Sequence, residues 1–166
     1  MNKQHPTVAV IGGAQCSQEQ AELAESVGRG LAMAGVDIVC GGRGGVMEAV
    51  CKGAYEAGGR TIGILPGTTD ADANPYLTIA IPTGLGEARN LVVATACDVI
   101  IAIAGSFGTL SEIAFALKRD KVVIGFKTWE AVTATGMEAN IQKASTAEEA
   151  VSMALTALEQ ARKKHG

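Results

Sequence analysis

A three-layer α/β/α fold with a doubly wound, mainly parallel sheet is predicted by three features of the sequence. Short, continuously apolar runs alternate with segments of helical periodicity, the pattern of strands buried on both faces between helices. Glycine clusters follow the apolar runs and open the next helix, which places them all on one edge of the sheet. The chain has 21 glycines against four prolines in 166 residues, a balance that suits tight strand-to-helix turns better than a helical bundle.

The elements follow in order. Thr7–Ile11 is the first strand and ends in Gly12-Gly13. Gln18–Met33 carries Ala21, Ala24 and Leu31 at helical spacing, with Ser17 as N-cap and Gly35 as stop. Val36–Cys40 is the second strand, Val46–Tyr55 the second helix, and Gly58-Gly59 its end. Thr61–Leu65 is the third strand. Residues 68–76 (TTDADANPY) break the rhythm and form a loop. Leu77–Ile81 is a short strand, Leu85–Ala96 a helix, Asp98–Ala104 a strand, Thr109–Lys118 a helix and Lys121–Phe126 a strand. Thr146–Lys163 closes the chain as a helix, with Glu148 and Glu149 in its first turn. No linker or repeat beyond this rhythm interrupts residues 1–166, so one domain is expected.

Composition narrows the function classes. The net charge of −3 and the absence of a basic stripe argue against nucleic acid as a partner. The four cysteines, Cys16, Cys40, Cys51 and Cys97, show no CxxC pair and no histidine at ligand spacing, so no metal site is expected. Cys40 and Cys97 lie among apolar residues and read as buried thiols. The start, MNKQHPTVAVIGG, lacks the apolar stretch of a signal peptide, and no run reaches membrane-span length. A soluble cytoplasmic protein with no membrane partner is the expectation.

Three turns carry the chemistry. In AGSFGTLSE, Gly105, Ser106, Phe107, Gly108 and Thr109 stand between a strand and a helix. Helix N-termini leave N–H groups unpaired and favour anions, so this turn suits a phosphate. The same residues also read as a capping box, with Thr109 as N-cap and Glu112 at the third helical position. In GGRGGVMEAV, Gly41, Gly42, Gly44 and Gly45 form a second glycine-rich turn on the same edge, with Arg43 available to phosphate, partner or solvent. Gly12 and Gly13 form a third, which lacks the dinucleotide fingerprint and argues against a nicotinamide or flavin enzyme. In IPTGLGEARN, Thr83, Gly84 and Gly86 lead into a helix whose first turn holds Arg89 and Asn90. A cation there opposes the helix dipole, and a residue that breaks a local rule is a candidate functional one. Asn74 and Tyr76 of the 68–76 loop either cover a bound base or belong to a plain surface loop.

The combination of GGRGGVMEAV, TGLGEARN and GSFGTLSE resembles the LONELY GUY-like group of Rossmann proteins, also called lysine decarboxylase-like, and most closely its molybdenum cofactor carrier branch. The resemblance spans roughly residues 7–126. It implies a Rossmann-like fold and release of a base from a nucleoside 5′-monophosphate, with Arg89 and Glu112 as catalytic residues and Gly105, Ser106, Gly108 and Thr109 as the phosphate turn. The group's hallmark PGGxGTxxE has Ala104 for proline and Ser106 for its second glycine here, and Asn90 follows the arginine where the hydrolases carry lysine. The departures leave phosphate binding expected. They set N-glycosidic hydrolysis, with no cofactor required, against the alternative of a non-catalytic carrier of molybdopterin. No Schiff-base lysine supports a decarboxylase. The ligand is expected to be a phosphorylated small molecule, a nucleotide or a molybdopterin. The resemblance, with the apolar Leu91, Val92 and Val93, implies a homodimer or homotetramer.

Overall fold

The computed structural model describes residues 5–165. Met1–Gln4 of the amino-terminal stretch and Gly166 lie outside the described residues. Seven strands are introduced in chain order: β1 (Thr7–Gly12), β2 (Asp37–Cys40), β3 (Thr61–Leu65), β4 (Ile79–Pro82), β5 (Val99–Ile103), β6 (Val122–Phe126) and β7 (Ile141–Lys143). They form one sheet in the order β4-β3-β2-β1-β5-β6-β7, and every neighbouring pair is parallel. The helices are α1 (Gln18–Met33), α2 (Val46–Glu56), α3 (Arg89–Thr95), α4 (Phe107–Leu117) and α5 (Ala147–His165).

Alternation along the strands builds two cores. Val8, Val10, Ile38, Cys40, Ile101 and Ile103 face α1, α2 and α5. Ala9, Ile11, Val39, Ile64, Ile100 and Ala102 face Val93 of α3 and Ile113 and Ala116 of α4. The fold is therefore the expected three-layer, Rossmann-like α/β/α sandwich with both sheet faces covered. The chain runs outward from β1 through β2 and β3 to β4, then returns to pair β5 with the other side of β1. This reversal creates a crevice beyond the carboxyl ends of β1 and β5, the place where such sheets bind ligands.

Local signals explain several boundaries. Ser17 caps α1 in a reciprocal capping box: its Oγ accepts from the Gln20 N–H at 3.2 Å, and Gln20 Oε1 accepts from the Ser17 N–H at 3.0 Å. Gly35 ends the helix at φ +72°. Thr146 Oγ1 accepts from the Glu149 N–H at 3.1 Å at the head of α5.

Other boundaries differ from expectation. Helix α4 begins at Phe107, two residues early, with Ser106 as N-cap. Thr109 is the third helical residue and Glu112 the sixth, so no capping box forms between them. The segment expected as one helix from Leu85 opens as a 3-10 turn over Gly86–Ala88 and becomes α-helical at Arg89, because Gly84 and Gly86 hold positive φ. Strand β4 is shifted to Ile79–Pro82, where its proline sits at a sheet edge. Strand β7 went unseen: it has only three residues, two of them exposed, too short for periodicity to register. Cys40, Cys51 and Cys97 are buried. Among the described residues no helix is long and apolar enough to cross a membrane.

Candidate functional site

The glycine turns meet at the carboxyl edge of the sheet, and their packing explains much of their composition. The Val46 N–H donates to the Gly13 carbonyl at 3.0 Å. A Cβ on Gly12 would fall 2.7 Å from both Ile103 O and Val46 Cβ, and one on Gly45 would stand 2.5 Å from the carbonyl carbon of Ala14. The turn after β1 and the turn after β2 thus press together, and Gly12 and Gly45 are needed for that approach, while Gly42 makes room for Leu65 and Gly63 of β3. Gly44 is freer: its nearest neighbour would be Ala14 O at 3.5 Å.

The 68–76 loop braces the second turn. The Asn74 N–H donates to Gly42 O at 2.9 Å, Asn74 Nδ2 donates to Arg43 O at 3.1 Å, and Asn74 Oδ1 accepts from the Tyr76 N–H at 3.1 Å. Asn74 is buried and works as a clasp; Arg43 itself is exposed.

The turn after β5 is shaped differently. Ala104 takes φ +47° and Gly105 φ +100°. The side chain of Thr109 folds back over Gly105, where a Cβ would stand 2.5 Å from Thr109 Cβ. Among the described residues, the N–H groups of Phe107, Gly108 and Thr109, the first turn of α4, find no backbone acceptor, leaving the unpaired donors of a helix mouth. Gly105, Ser106 and Phe107 are exposed at that mouth.

Arg89 and Glu112 enter from α3 and α4, and both are buried. The Arg89 guanidinium lies against Gly41 at the end of β2. Burial lowers the pKa of Arg89, while the nearby Glu112 raises it; arginine stays charged all the same. Burial pushes the Glu112 carboxyl up to about 8, and Arg89 opposes that rise. Among the described residues, Arg89, Thr109 and Glu112 make no side-chain hydrogen bond, and no sealed polar side-chain atom goes without a partner. The free polar atoms of these three side chains therefore keep access to solvent.

The remaining sequence-predicted residues are engaged within the fold. Asn90 Nδ2 donates to Ser111 Oγ at 3.0 Å, and Ser111 Oγ donates to Gly108 O at 2.6 Å, which ties α3 to the head of α4. Thr83 Oγ1 donates to Leu65 O at 2.7 Å and accepts from the Leu85 N–H at 3.2 Å. Gly84 and Gly86 supply positive φ between β4 and α3. Sequence reasoning missed Trp129, whose indole N–H donates to Ser106 O at 3.0 Å. The signal was present, since it is the chain's single tryptophan and follows a strand on the site's own edge.

The chain resembles known proteins in sequence and, for the solved ones, in shape. An uncharacterised protein of Archaeoglobus fulgidus is 42% identical over 120 residues, 72% of this chain and 79% of that one. Among solved structures, the molybdenum cofactor binding protein of the phototrophic bacterium Rippkaea orientalis is 32% identical, with a TM-score of 0.84 over 93% of this chain and 98% of that one. The Moco carrier protein of Chlamydomonas reinhardtii is 31% identical, with a TM-score of 0.83 over 95% of this chain and 99% of that one. The resemblance suggested by the three motifs holds across the whole sheet: the SLOG cluster4 family model matches residues 5–159, and the chain belongs to that family.

Proposed function

We propose that this protein holds a phosphorylated pterin of the molybdenum-cofactor type at the carboxyl edge of its sheet and carries it without turnover. The observation that carries the reading is the trio Arg89, Thr109 and Glu112, buried without hydrogen-bond partners yet open to solvent. Side chains held this way by packing are already ordered, and a ligand that meets all three gains charge-assisted hydrogen bonds at little further ordering cost. In this reading the phosphate takes the free N–H groups of Phe107, Gly108 and Thr109 and the Thr109 hydroxyl, and Arg89 balances its charge. Gly12, Gly13, Gly41, Gly42, Gly44 and Gly45 form the facing wall, and Thr83, Gly84, Gly86 and Asn90 complete the ligand's surroundings. The solved relatives named for binding or carrying this cofactor support the choice of cargo.

The second reading, a phosphoribohydrolase acting on a nucleoside 5′-monophosphate, rests on the nearness of Arg89 and Glu112. Such chemistry asks the glutamate for negative charge, either to stabilise an oxocarbenium-like centre or to activate water. Burial pushes the Glu112 carboxyl up to about 8, which weakens it as a base or stabilising anion at neutral pH and leaves it able to protonate a leaving base as a general acid.

Native mass spectrometry of protein purified from cells that make the cofactor tests the proposal. A retained pterin mass is expected, together with no base release from a panel of nucleoside monophosphates. Base release that disappears in Glu112→Gln would overturn the carrier reading.

A further inference from the structure

The segment after β6 builds a wall beside the phosphate turn. Thr128 Oγ1 donates to Ala104 O at 2.6 Å, and Trp129 Nε1 donates to Ser106 O at 3.0 Å. Two consecutive residues are thus fastened to the turn. The Trp129 ring lies 5.5 Å from that of Phe107, tilted by 42°. Phe107, the first residue of α4, is 78% exposed. Trp129 also lines a cavity of about 530 Å³ between the end of β6, the 127–139 segment and β7. That volume lies within the ~300–1,000 Å³ usual for small-molecule sites.

The lining decides what fits. Ala131, Val132, Ala139 and Ile141 are apolar, Trp129 is aromatic, and Glu138 adds a carboxylate. The cations at the cavity are matched within the protein: Lys143 pairs with Glu130, and Lys127 pairs with Glu19 at 2.7 Å. The cavity therefore offers no spare positive charge to a phosphate, whereas the turn next to it offers free N–H groups. Thr128 and Trp129 line this space and also bond the Ala104 and Ser106 carbonyls of the turn, an adjacency that matches a ligand with a planar ring at one end and a phosphate at the other.

We infer that Phe107, Trp129 and the cavity behind them form a ring subsite, which takes the fused heterocycle of a ligand whose phosphate lies in the Gly105–Thr109 turn. The inference rests on the reading of that turn as an anion site. The single tryptophan makes it directly observable. Guanosine 5′-monophosphate serves as the ring-bearing probe and ribose 5-phosphate as the ringless one, both titrated by calorimetry and by tryptophan fluorescence. Stacking on an aromatic side chain is lost on truncation to alanine, so Phe107→Ala should lower the preference for guanosine monophosphate over ribose 5-phosphate about tenfold. Guanosine monophosphate should quench Trp129, and ribose 5-phosphate should bind without quenching. Quenching that needs Phe107, with no binding of ribose 5-phosphate, would keep the ring subsite and remove the anion reading. Guanosine monophosphate binding with unchanged fluorescence, an unaltered preference in Phe107→Ala, or no guanosine monophosphate binding at all would overturn the ring subsite.

Discussion

The guanidinium of Arg89 occupies the space that a side chain on Gly41 would fill: a Cβ there would overlap Nη1 and stand 2.8 Å from Cζ and 2.6 Å from Met47 Sδ. A glycine at the end of β2 thus sets the position of an arginine from α3, nearly fifty residues further along the chain. The atoms in the way are the ends of flexible side chains, and Gly41 needs no positive φ. Gly41→Ala should therefore fold, displace the guanidinium, and weaken binding of a phosphorylated ligand about tenfold, as loss of a charge-assisted hydrogen bond requires. Calorimetry alongside urea denaturation separates the two effects; a stability loss with intact affinity would mean that Arg89 does not touch the ligand.

Thr109→Val removes a hydroxyl that has no partner among the described residues. Stability should stay within about 0.5 kcal/mol of wild type. Binding of a phosphorylated ligand should fall by about 1.5–3 kcal/mol, while a non-phosphorylated analogue should lose much less. Equal losses for both ligands would show that the turn is not a phosphate cradle.

Ala104 holds φ +47°, a left-handed conformation that costs a residue with a Cβ roughly 1–2 kcal/mol. Ala104→Gly should raise stability by about 1 kcal/mol in urea unfolding. Ala104→Pro should abolish folding, because the proline ring fixes φ near −65° and removes the N–H that donates to Phe126 O at 3.0 Å. Of the two positions that depart from the motif PGGxGTxxE, Ala104 is thus one where this backbone excludes the motif's proline. An unchanged stability in Ala104→Gly would count against the left-handed turn.

What was legible in the sequence follows from periodicity and from punctuation. Ser17, Gly35 and Thr146 each sit where a cap or stop signal says they should, because local side chain–backbone chemistry fixes them. The glycine turns were legible as a group, since they all follow strands. Their reasons were not: Gly45 meets Ala14 from a turn some thirty residues earlier, and no local signal encodes that approach. Glu112 could be placed one turn into a helix, yet its burial depends on α3 folding over α4 through Asn90 and Ser111. The start of α4 at Phe107 was missed because Ser106 caps it with no side-chain hydrogen bond, leaving Thr109 as the more persuasive cap.

The edge strand β4 exposes Ile79 and Ile81 at 47% and 42%, and Leu85 beside it is 51% exposed. Of the residues on α3, Val93 is fully buried and Leu91 and Val92 are only partly exposed, so the apolar surplus lies on β4 and Leu85. A homodimer or homotetramer that covers this edge is expected in sedimentation at micromolar concentration, and Ile81→Asp should shift the mass toward one chain. A single-chain mass for the wild type would refute the assembly.

Glu112 ties stability to pH in a direction opposite to that of a salt-bridged carboxylate. Its carboxyl is raised from 4.5 to about 8 by burial. Between those values the folded chain keeps a proton that the unfolded chain has released, so stability falls as pH rises through the interval and levels off above it. Below about 4.5 the group is protonated in both states and contributes no such penalty. Glu112→Gln carries no charge to bury, so its stability relative to wild type should grow by more than about 1 kcal/mol from the acid to the alkaline end of the window. Urea unfolding of both proteins at about pH 5 and about pH 8.5 reads that difference directly. The same ionisation bears on the chemical role open to Glu112. If the difference does not change with pH, Glu112 is charged throughout, a carboxylate beside Arg89 is available for chemistry at neutral pH, and the hydrolase reading regains the negative charge it needs. If the difference grows as expected, the glutamate meets its ligand as a neutral acid that donates a hydrogen bond, a state that suits held cargo and equally a general acid, and base release from a nucleoside monophosphate in wild type but not in Glu112→Gln separates the two.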